Sequence, residues 1–110
     1  MTERSKKYLS DIIIAVNLIE DFTRGITDFL VYESDLKTQS AVERQLVIIG
    51  EALNQFKKLE PNIDIRNAAQ IIAFRNRLVH AYDNLDNSIV WAILHRHLKP
   101  LKNEVDELLK

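Results

Sequence analysis

The sequence contains no cysteine, which excludes both a disulfide framework and a zinc site built on thiolates. Glycine and proline are scarce, with two of each, and no segment alternates polar and apolar residues for long, so strands are not expected. The longest uncharged apolar run covers residues 12–19. It is far shorter than the roughly 20 residues of a membrane-spanning helix. Basic residues are not in excess either: the formal net charge is −1, so any basic site must be local.

The remaining composition is that of an ordinary globular domain. Hydrophobic residues make up 46% of the chain and charged residues 28%, so intrinsic disorder is not expected. The length of 110 residues suits one domain with a single core, over residues 1–110. The charged N-terminus is followed by neither an adequate apolar segment nor a small-residue cleavage site. We therefore expect no signal peptide and a cytoplasmic protein without membrane association.

Apolar residues recur at spacings of three and four, which is the pattern of amphipathic helices and predicts an all-α fold. We expect a first helix over residues 3–24, a short helical turn over 26–32, a second long helix from Ser34 or Asp35 to Glu60, a third helix over 64–79, and a fourth from Asp86 or Asn87 onward. Four long helices with short connections predict an antiparallel up-and-down four-helix bundle, with the short extra helical turn after the first helix.

Glycine and proline positions mark expected helix ends and contacts. Gly25 stands where a left-handed residue terminates the first helix, and Pro61 stops the second. Pro100 lies inside the fourth helix and should bend it or split it in two. Gly50 lies within the second helix, where glycine costs about 1 kcal/mol relative to alanine. We therefore expect a close helix crossing there that requires the missing side chain.

Chemically capable side chains are concentrated in residues 75–82, Arg-Asn-Arg-Leu-Val-His-Ala-Tyr, near the end of the third helix. Arginine holds phosphate bidentately and histidine transfers protons near neutral pH, so this segment has the groups that phosphodiester chemistry needs. Together with Arg66, the residues Arg75, Arg77 and His80 supply the local basic site that bulk charge does not. The alternative is a solvated basic face whose histidine caps the helix end.

Helical phase limits how these groups can cooperate. Arg75 and Tyr82 share one face of an ideal helix, about 10 Å apart, and Asn76 and His80 share a neighbouring face. Arg75 and His80 diverge by about 140°, so either the helix loosens before His80 or the two meet across a symmetric dimer interface. In such a cleft Arg75 would polarise a phosphate, and His80 would act as general base or acid without a metal ion.

Three segments are more informative together than apart. Residues 44–52 read Arg-Gln-Leu-Val-Ile-Ile-Gly-Glu-Ala, residues 74–82 read Phe-Arg-Asn-Arg-Leu-Val-His-Ala-Tyr, and residues 89–91 and 100–101 read Ile-Val-Trp and Pro-Leu. Over essentially the whole chain these segments resemble the HEPN superfamily. The pattern Arg-Asn-x-x-x-His-x-Tyr, combined with Gly-Glu-Ala, resembles its HepT-like toxins. Residues 62–65 depart from the family, because many relatives have a second proline there, and this affects a loop rather than the chemistry.

The resemblance implies a single HEPN domain over residues 1–110 that forms homodimers and cleaves RNA, including transfer RNA, by 2′-hydroxyl transesterification without a metal or other cofactor. It implies a toxin whose partner is an MNT-type nucleotidyltransferase antitoxin. By position, Arg75 and His80 are implied to be catalytic, with Asn76 orienting the phosphate or His80. Tyr82 is similar to the tyrosine that the antitoxin modifies with AMP, and an adenylyl phosphate on the face of Arg75 would block substrate.

Two other functions stay open from the residues alone. Net acidity and the lack of an extended basic surface favour a non-catalytic dimeric interaction module that partners a nucleotidyltransferase. The second open function is a nucleotide-binding domain that uses Arg75 to hold a phosphate without cleaving it. Tyr82 could likewise be a structural residue that packs its ring and leaves its hydroxyl in water.

Several further residues are expected to be structural. Glu51 could approach the cleft, but a carboxylate on the helix surface is the preferred interpretation. Trp91 is expected in the core or in a dimer interface rather than as a stacking platform for bases. His95 and His97 lie about 200° apart on a helix, so they cannot bind one metal ion together.

Overall fold

Six α-helices make up the fold of residues 1–80, 83 and 85–110, which are the residues that the computed structural model describes. They are α1 (Glu3–Phe22), α2 (Phe29–Glu33), α3 (Leu36–Leu59), α4 (Ala68–His80), α5 (Asn87–Arg96) and α6 (Leu98–Leu109). No strand occurs in these ranges, so the predicted all-α class is confirmed. None of their helices is long and apolar enough to cross a membrane.

The long helices α1 and α3 pack along each other and carry most of the core. α1 also packs against α6, α3 against α4, and α5 against α6, while the short α2 contacts α3 and α5. Each helix contributes fully buried side chains to the core: Leu9, Ile12 and Val16 on α1; Tyr32 on α2; Val42, Leu46, Ile49, Leu53 and Phe56 on α3; Ile71 on α4; Val90 on α5; Leu101 and Val105 on α6. The up-and-down order of the bundle and the homodimer remain predictions.

Local signals set the ends of α1 and α3, largely as the sequence predicts. The Thr2 hydroxyl accepts a hydrogen bond from the Ser5 backbone N–H, 3.1 Å away, and begins α1. Gly25 adopts φ +83°, the left-handed conformation expected after that helix, although α1 itself ends at Phe22. Asp35 caps α3 by accepting from the Thr38 backbone N–H at 3.1 Å.

The start of α4 corrects a prediction. The sequence predicts a start at Asp64, but α4 begins at Ala68, and the Arg66 backbone N–H donates to a side chain of α6 rather than to a carbonyl one turn earlier. The Glu104 carboxylate of α6 accepts hydrogen bonds from the Arg66 backbone N–H at 2.9 Å and from the Asn67 side chain at 3.1 Å. A negative charge at this end also suits the positive end of the α4 dipole.

The predicted bend or split at Pro100 occurs as a split. α5 ends at Arg96 and α6 begins at Leu98, with His97 between them. Pro100 has no N–H to donate to the Arg96 carbonyl four residues earlier, and its ring would clash with that carbonyl. In the first turn of α6 this loss is harmless, because the first N–H groups of a helix have no partner within it.

Trp91 is partly buried and packs against the core, as the sequence predicts. Its ring centroid lies 5.4 Å from that of Tyr32, 6.0 Å from that of Phe29 and 4.2 Å from that of His95. These contacts join α5 to α2. The indole therefore packs against other ring side chains of the same chain.

Candidate active site at the crossing of α3 and α4

Gly50 lets Arg75 lie directly against α3. A Cβ atom at position 50 would overlap Arg75 Cβ, lie 2.7 Å from Arg75 Cγ and stand 3.4 Å from the Ile71 carbonyl oxygen. Only a hydrogen atom fits there, so the predicted close crossing at Gly50 is confirmed. The residue on the other side of the crossing is the arginine of the predicted catalytic motif.

Two hydrogen bonds hold the guanidinium of Arg75. Nη2 donates to a carboxylate oxygen of Glu51, and Nη1 donates to the Asn76 side-chain oxygen at 2.8 Å. Nε is buried and has no hydrogen-bond partner among the described residues. Arginine has five N–H donors, so two of those on Nη1 and Nη2 remain for a ligand.

The carboxylate of Glu51 is itself fixed. One of its oxygens accepts from the Gln55 side chain at 3.1 Å, one turn further along α3, while the other accepts from Arg75. Gln55, Glu51, Arg75 and Asn76 therefore form a continuous hydrogen-bonded chain across the two helices. Glu51 lies on the surface of α3, as predicted, with a side chain that is 43% exposed, but it also pairs with Arg75 at the crossing.

The ion pair between Glu51 and Arg75 is only partly shielded from water. The Arg75 side chain is 24% exposed and that of Glu51 43%. Pairs near the surface typically contribute about 0–1 kcal/mol to folding, since solvent screens the charges. Its main physical effect is therefore to orient the guanidinium rather than to stabilise the fold.

His80 does not join this chain of contacts. α4 remains helical through His80, so the alternative in which the helix loosens before that residue is wrong. The His80 side chain is exposed at the helix end and makes no hydrogen bond or ion pair with any described residue. One chain thus brings Arg75, Asn76 and Glu51 together but leaves His80 apart. Tyr82, the predicted AMP acceptor, lies outside the described residues.

The predicted local basic cluster is dispersed. Arg66 precedes α4, at the opposite end of this 13-residue helix from His80. The helix is about 20 Å long, too far for both residues to contact one phosphate. Arg77 lines a separate cleft between α4 and α5, together with Phe74 and Ile89. Arg75 is therefore the one arginine of this set that reaches the α3 crossing.

Arg44 is a cation near the crossing that the sequence reasoning did not single out. It lies seven residues before Glu51 and so on the same face of α3. Its side chain is exposed and lines two surface grooves of about 250 Å³ each. One of these grooves includes Glu51, and the other includes Leu78 of α4. The spacing of seven in residues 44–51 is the signal that could have shown this.

No group of three or more histidine, aspartate or glutamate side chains converges in the part of the chain that the structure describes. His95 and His97 have different partners. The Nδ1 atom of His95 lies 2.9 Å from the Trp91 carbonyl oxygen, and that of His97 lies 3.1 Å from the Asn67 side-chain oxygen. The expectation that these two histidines do not share a ligand is consistent with this placement.

Known proteins resemble this chain along most of its length. The chain matches the family described as "Ribonuclease HepT-like" over residues 12–108. It is 42% identical, over 116 aligned positions and the whole of both chains, to "Probable ribonuclease HepT" of Thermococcus cleftensis. It is 31% identical to "Putative RNase MJ1380" of Methanocaldococcus jannaschii, with 92% of this chain and 93% of that protein covered. No solved structure matches the chain.

Proposed function

The chain belongs to the HepT-like ribonuclease family, and on that basis we propose that it is an endoribonuclease that cleaves RNA without a metal ion. The observation that carries the proposal is the guanidinium of Arg75, which is held at the Gly50 crossing with two N–H groups left for a phosphate. Such a preorganised cation stabilises charge that develops on phosphate oxygens during transesterification.

The proposed reaction uses the RNA strand as its own nucleophile. The ribose 2′-hydroxyl oxygen attacks the adjacent phosphorus, and the bond from phosphorus to the 5′-oxygen breaks. His80 accepts the hydroxyl proton as general base and later returns it to solvent, and the leaving 5′-oxygen takes a proton from water. Arg75, oriented by Asn76, stabilises the charge on the non-bridging oxygens. The products are a 2′,3′-cyclic phosphate and a 5′-hydroxyl.

We propose that the site is completed by a homodimer. Within one straight helix Arg75 and His80 diverge by about 140°, so a two-fold axis is needed to bring the arginine of one copy towards the histidine of the other. Val79, next to His80, is an apolar side chain that is 48% exposed. An interface on this part of α4 would cover it, which supports the dimer.

We further propose that the protein is the toxin of a toxin–antitoxin pair, silenced by a nucleotidyltransferase antitoxin of the MNT type. The transferase would move AMP from ATP to the phenol oxygen of Tyr82, with release of pyrophosphate. Tyr82 follows His80 by two residues. A phosphodiester there would bring negative charge and bulk to the cation that substrate needs.

The test is RNA cleavage by protein that mass spectrometry shows to be free of AMP. We expect wild-type protein to cut RNA, including transfer RNA, in excess EDTA and to leave 2′,3′-cyclic phosphate ends. Arg75→Ala and His80→Ala should each abolish cleavage with an unchanged melting temperature. Complete absence of cleavage by unmodified wild-type protein would refute the proposed ribonuclease activity.

A second candidate is a non-catalytic dimeric nucleotide-binding or interaction module that partners the transferase. The net charge of −1 and the carboxylate already bound to Arg75 favour it. Two results together would select it over the nuclease. Overexpression would leave growth unaffected, and Arg75→Ala would leave a stable complex with the transferase intact.

A further inference from the structure

We propose, on the basis of the ribonuclease function above, that Glu51 is a positioning residue for Arg75. It fixes the direction in which the guanidinium meets a phosphate of the RNA. The role is assigned to a carboxylate of α3, outside the helix-end motif that contains the proposed catalytic side chains. Glu51 does not contact substrate in this proposal; it acts through Arg75.

Three contacts restrict Arg75 from three sides, and Glu51 provides the charged one. The first methylene groups of the arginine lie against Gly50, where no side chain fits. Nη1 is bound by Asn76, which is exposed on the same helix. Nη2 is bound by Glu51, whose carboxylate is anchored in turn by Gln55 at 3.1 Å. Removal of Glu51 would leave the guanidinium tethered only to its own neighbour in sequence.

The exposure of the pair favours a positioning role over a structural one. Ion pairs as open to solvent as this one contribute little to folding. A free arginine side chain, in contrast, has many rotamers, and it loses them when it binds a phosphate. A guanidinium already fixed in one orientation avoids that loss at the moment of reaction.

The charge of Glu51 has a second consequence, which separates binding from chemistry. A carboxylate close to the phosphate path repels the RNA backbone, so its removal should not weaken substrate binding. Its removal should nevertheless slow the chemical step, because the guanidinium is no longer held in place. We therefore expect kcat to fall while KM stays the same or decreases.

The experiment compares Glu51→Ala and Glu51→Gln with wild-type protein in steady-state cleavage of a short RNA. Glu51→Ala should lower kcat about tenfold or more without raising KM, since small misplacements of a catalytic group have effects of this order. Glu51→Gln keeps an acceptor oxygen for Nη2 and should recover part of kcat. A kcat at or above the wild-type value in both variants would overturn the proposal, because Glu51 would then be neutral or a competitor of phosphate.

The matched control is Glu20→Ala. Glu20 also pairs between helices, with Lys102 of α6 at 3.8 Å, and its side chain is 50% exposed, close to the value for Glu51. Loss of a partly exposed interhelical pair is common to both variants. An equal loss of kcat in Glu20→Ala and Glu51→Ala would show a general structural effect and would reject positioning.

A readout independent of catalysis separates this inference from the ribonuclease proposal. The Nε–H of Arg75 is buried, so its motion can be followed by ¹⁵N relaxation in the dimer. Glu51→Ala should lower the order parameter of this group, whereas Glu20→Ala should leave it unchanged. If wild-type protein cleaves no RNA, the ribonuclease proposal fails; an unchanged order parameter in Glu51→Ala rejects positioning in either case.

Discussion

Arg75 lies so close to Gly50 that its first side-chain carbons occupy the space where any other residue would place a Cβ atom. The contact joins the middle of α3 to the last two turns of α4. It therefore determines both how closely the helices approach and where the guanidinium begins. One glycine thus links the packing of the core to the geometry of the proposed active site.

We expect Gly50→Ala to displace Arg75 and to destabilise the protein. The new methyl group would overlap Arg75 Cβ, which cannot rotate away, so α3 and α4 must separate. Overpacking of this kind costs about 1–3 kcal/mol, more than the roughly 1 kcal/mol that alanine gains over glycine in a helix. Urea denaturation measures the change in the free energy of unfolding. The rate of RNA cleavage should also fall, because Arg75 is displaced.

Gly25→Ala is the control for this variant. Gly25 has no atom within 4 Å of the added Cβ, but its φ of +83° strains any other residue. It should therefore cost stability of similar order while leaving cleavage intact. A Gly50→Ala protein with wild-type stability and wild-type cleavage would contradict the close contact.

The features that the sequence predicts correctly depend on neighbouring residues. Asp35 as a cap, Gly25 as a left-handed residue and Pro100 as a helix breaker act through backbone geometry within a few positions. The close crossing at Gly50 is the one long-range feature predicted in this way. A glycine inside a helix lowers stability, so its presence indicates that another segment packs closely against it.

The features that the sequence does not predict depend on which helices meet. At the delayed start of α4, the Arg66 backbone N–H binds a carboxylate 38 positions away, that of Glu104. The pairing of Glu51 with Arg75 spans 24 positions and requires the crossing to be known. The dispersal of Arg75 and Arg77, in contrast, was available from helical phase, because residues two apart point about 200° apart.

We expect Glu104→Ala to destabilise the protein by about 1 kcal/mol, because hydrogen bonds that are exposed or only partly buried make a net contribution of about this size. The Arg66 N–H and the Asn67 amide would both lose their partner at the start of α4. Thermal or urea denaturation measures the effect. The control is Glu107→Ala on the same helix, whose carboxylate pairs with the exposed Lys110. Equal stability of the two variants would show that Glu104 does not anchor α4.

Acid should weaken the caps of α3 and α5. The side-chain and then the backbone hydrogen bonds from Thr38 lower the pKa of Asp35, and those from Ser88 lower the pKa of Asp86. Because each pKa is lower in the folded than in the unfolded chain, the caps stabilise the fold above about pH 4 and lose this contribution as the pH falls further.

The variant that checks this is Asp35→Asn with Asp86→Asn, since asparagine also caps helices but carries no charge. Its free energy of unfolding should depend less on pH than that of the wild type between about pH 2 and pH 5, roughly the range in which aspartate titrates. Thr38→Val, which removes the hydroxyl donor to Asp35, should reduce the dependence in part. Identical acid profiles for wild type and double variant would contradict the role of these caps.

Mixing two inactive variants tests whether the active site is shared between chains. Arg75→Ala and His80→Ala homodimers should each be inactive. If Arg75 of one copy acts with His80 of the other, a heterodimer of the two variants has one site with both side chains intact. Random exchange of subunits makes about half of the dimers mixed, each with one working site of two, so about a quarter of wild-type activity should return.

The same mixture also tests the alternative in which one chain supplies both Arg75 and His80 to a site. Every chain in the mixture lacks either Arg75 or His80, so a site built within one chain would stay inactive at any ratio. The double variant Arg75→Ala with His80→Ala, mixed with wild type, provides the control, because that heterodimer has no complete shared site. A mixture of the single variants that stays inactive although mass spectrometry detects heterodimers would contradict the shared site. The divergence of the two side chains along α4, which remains helical through His80, makes recovery the expected result.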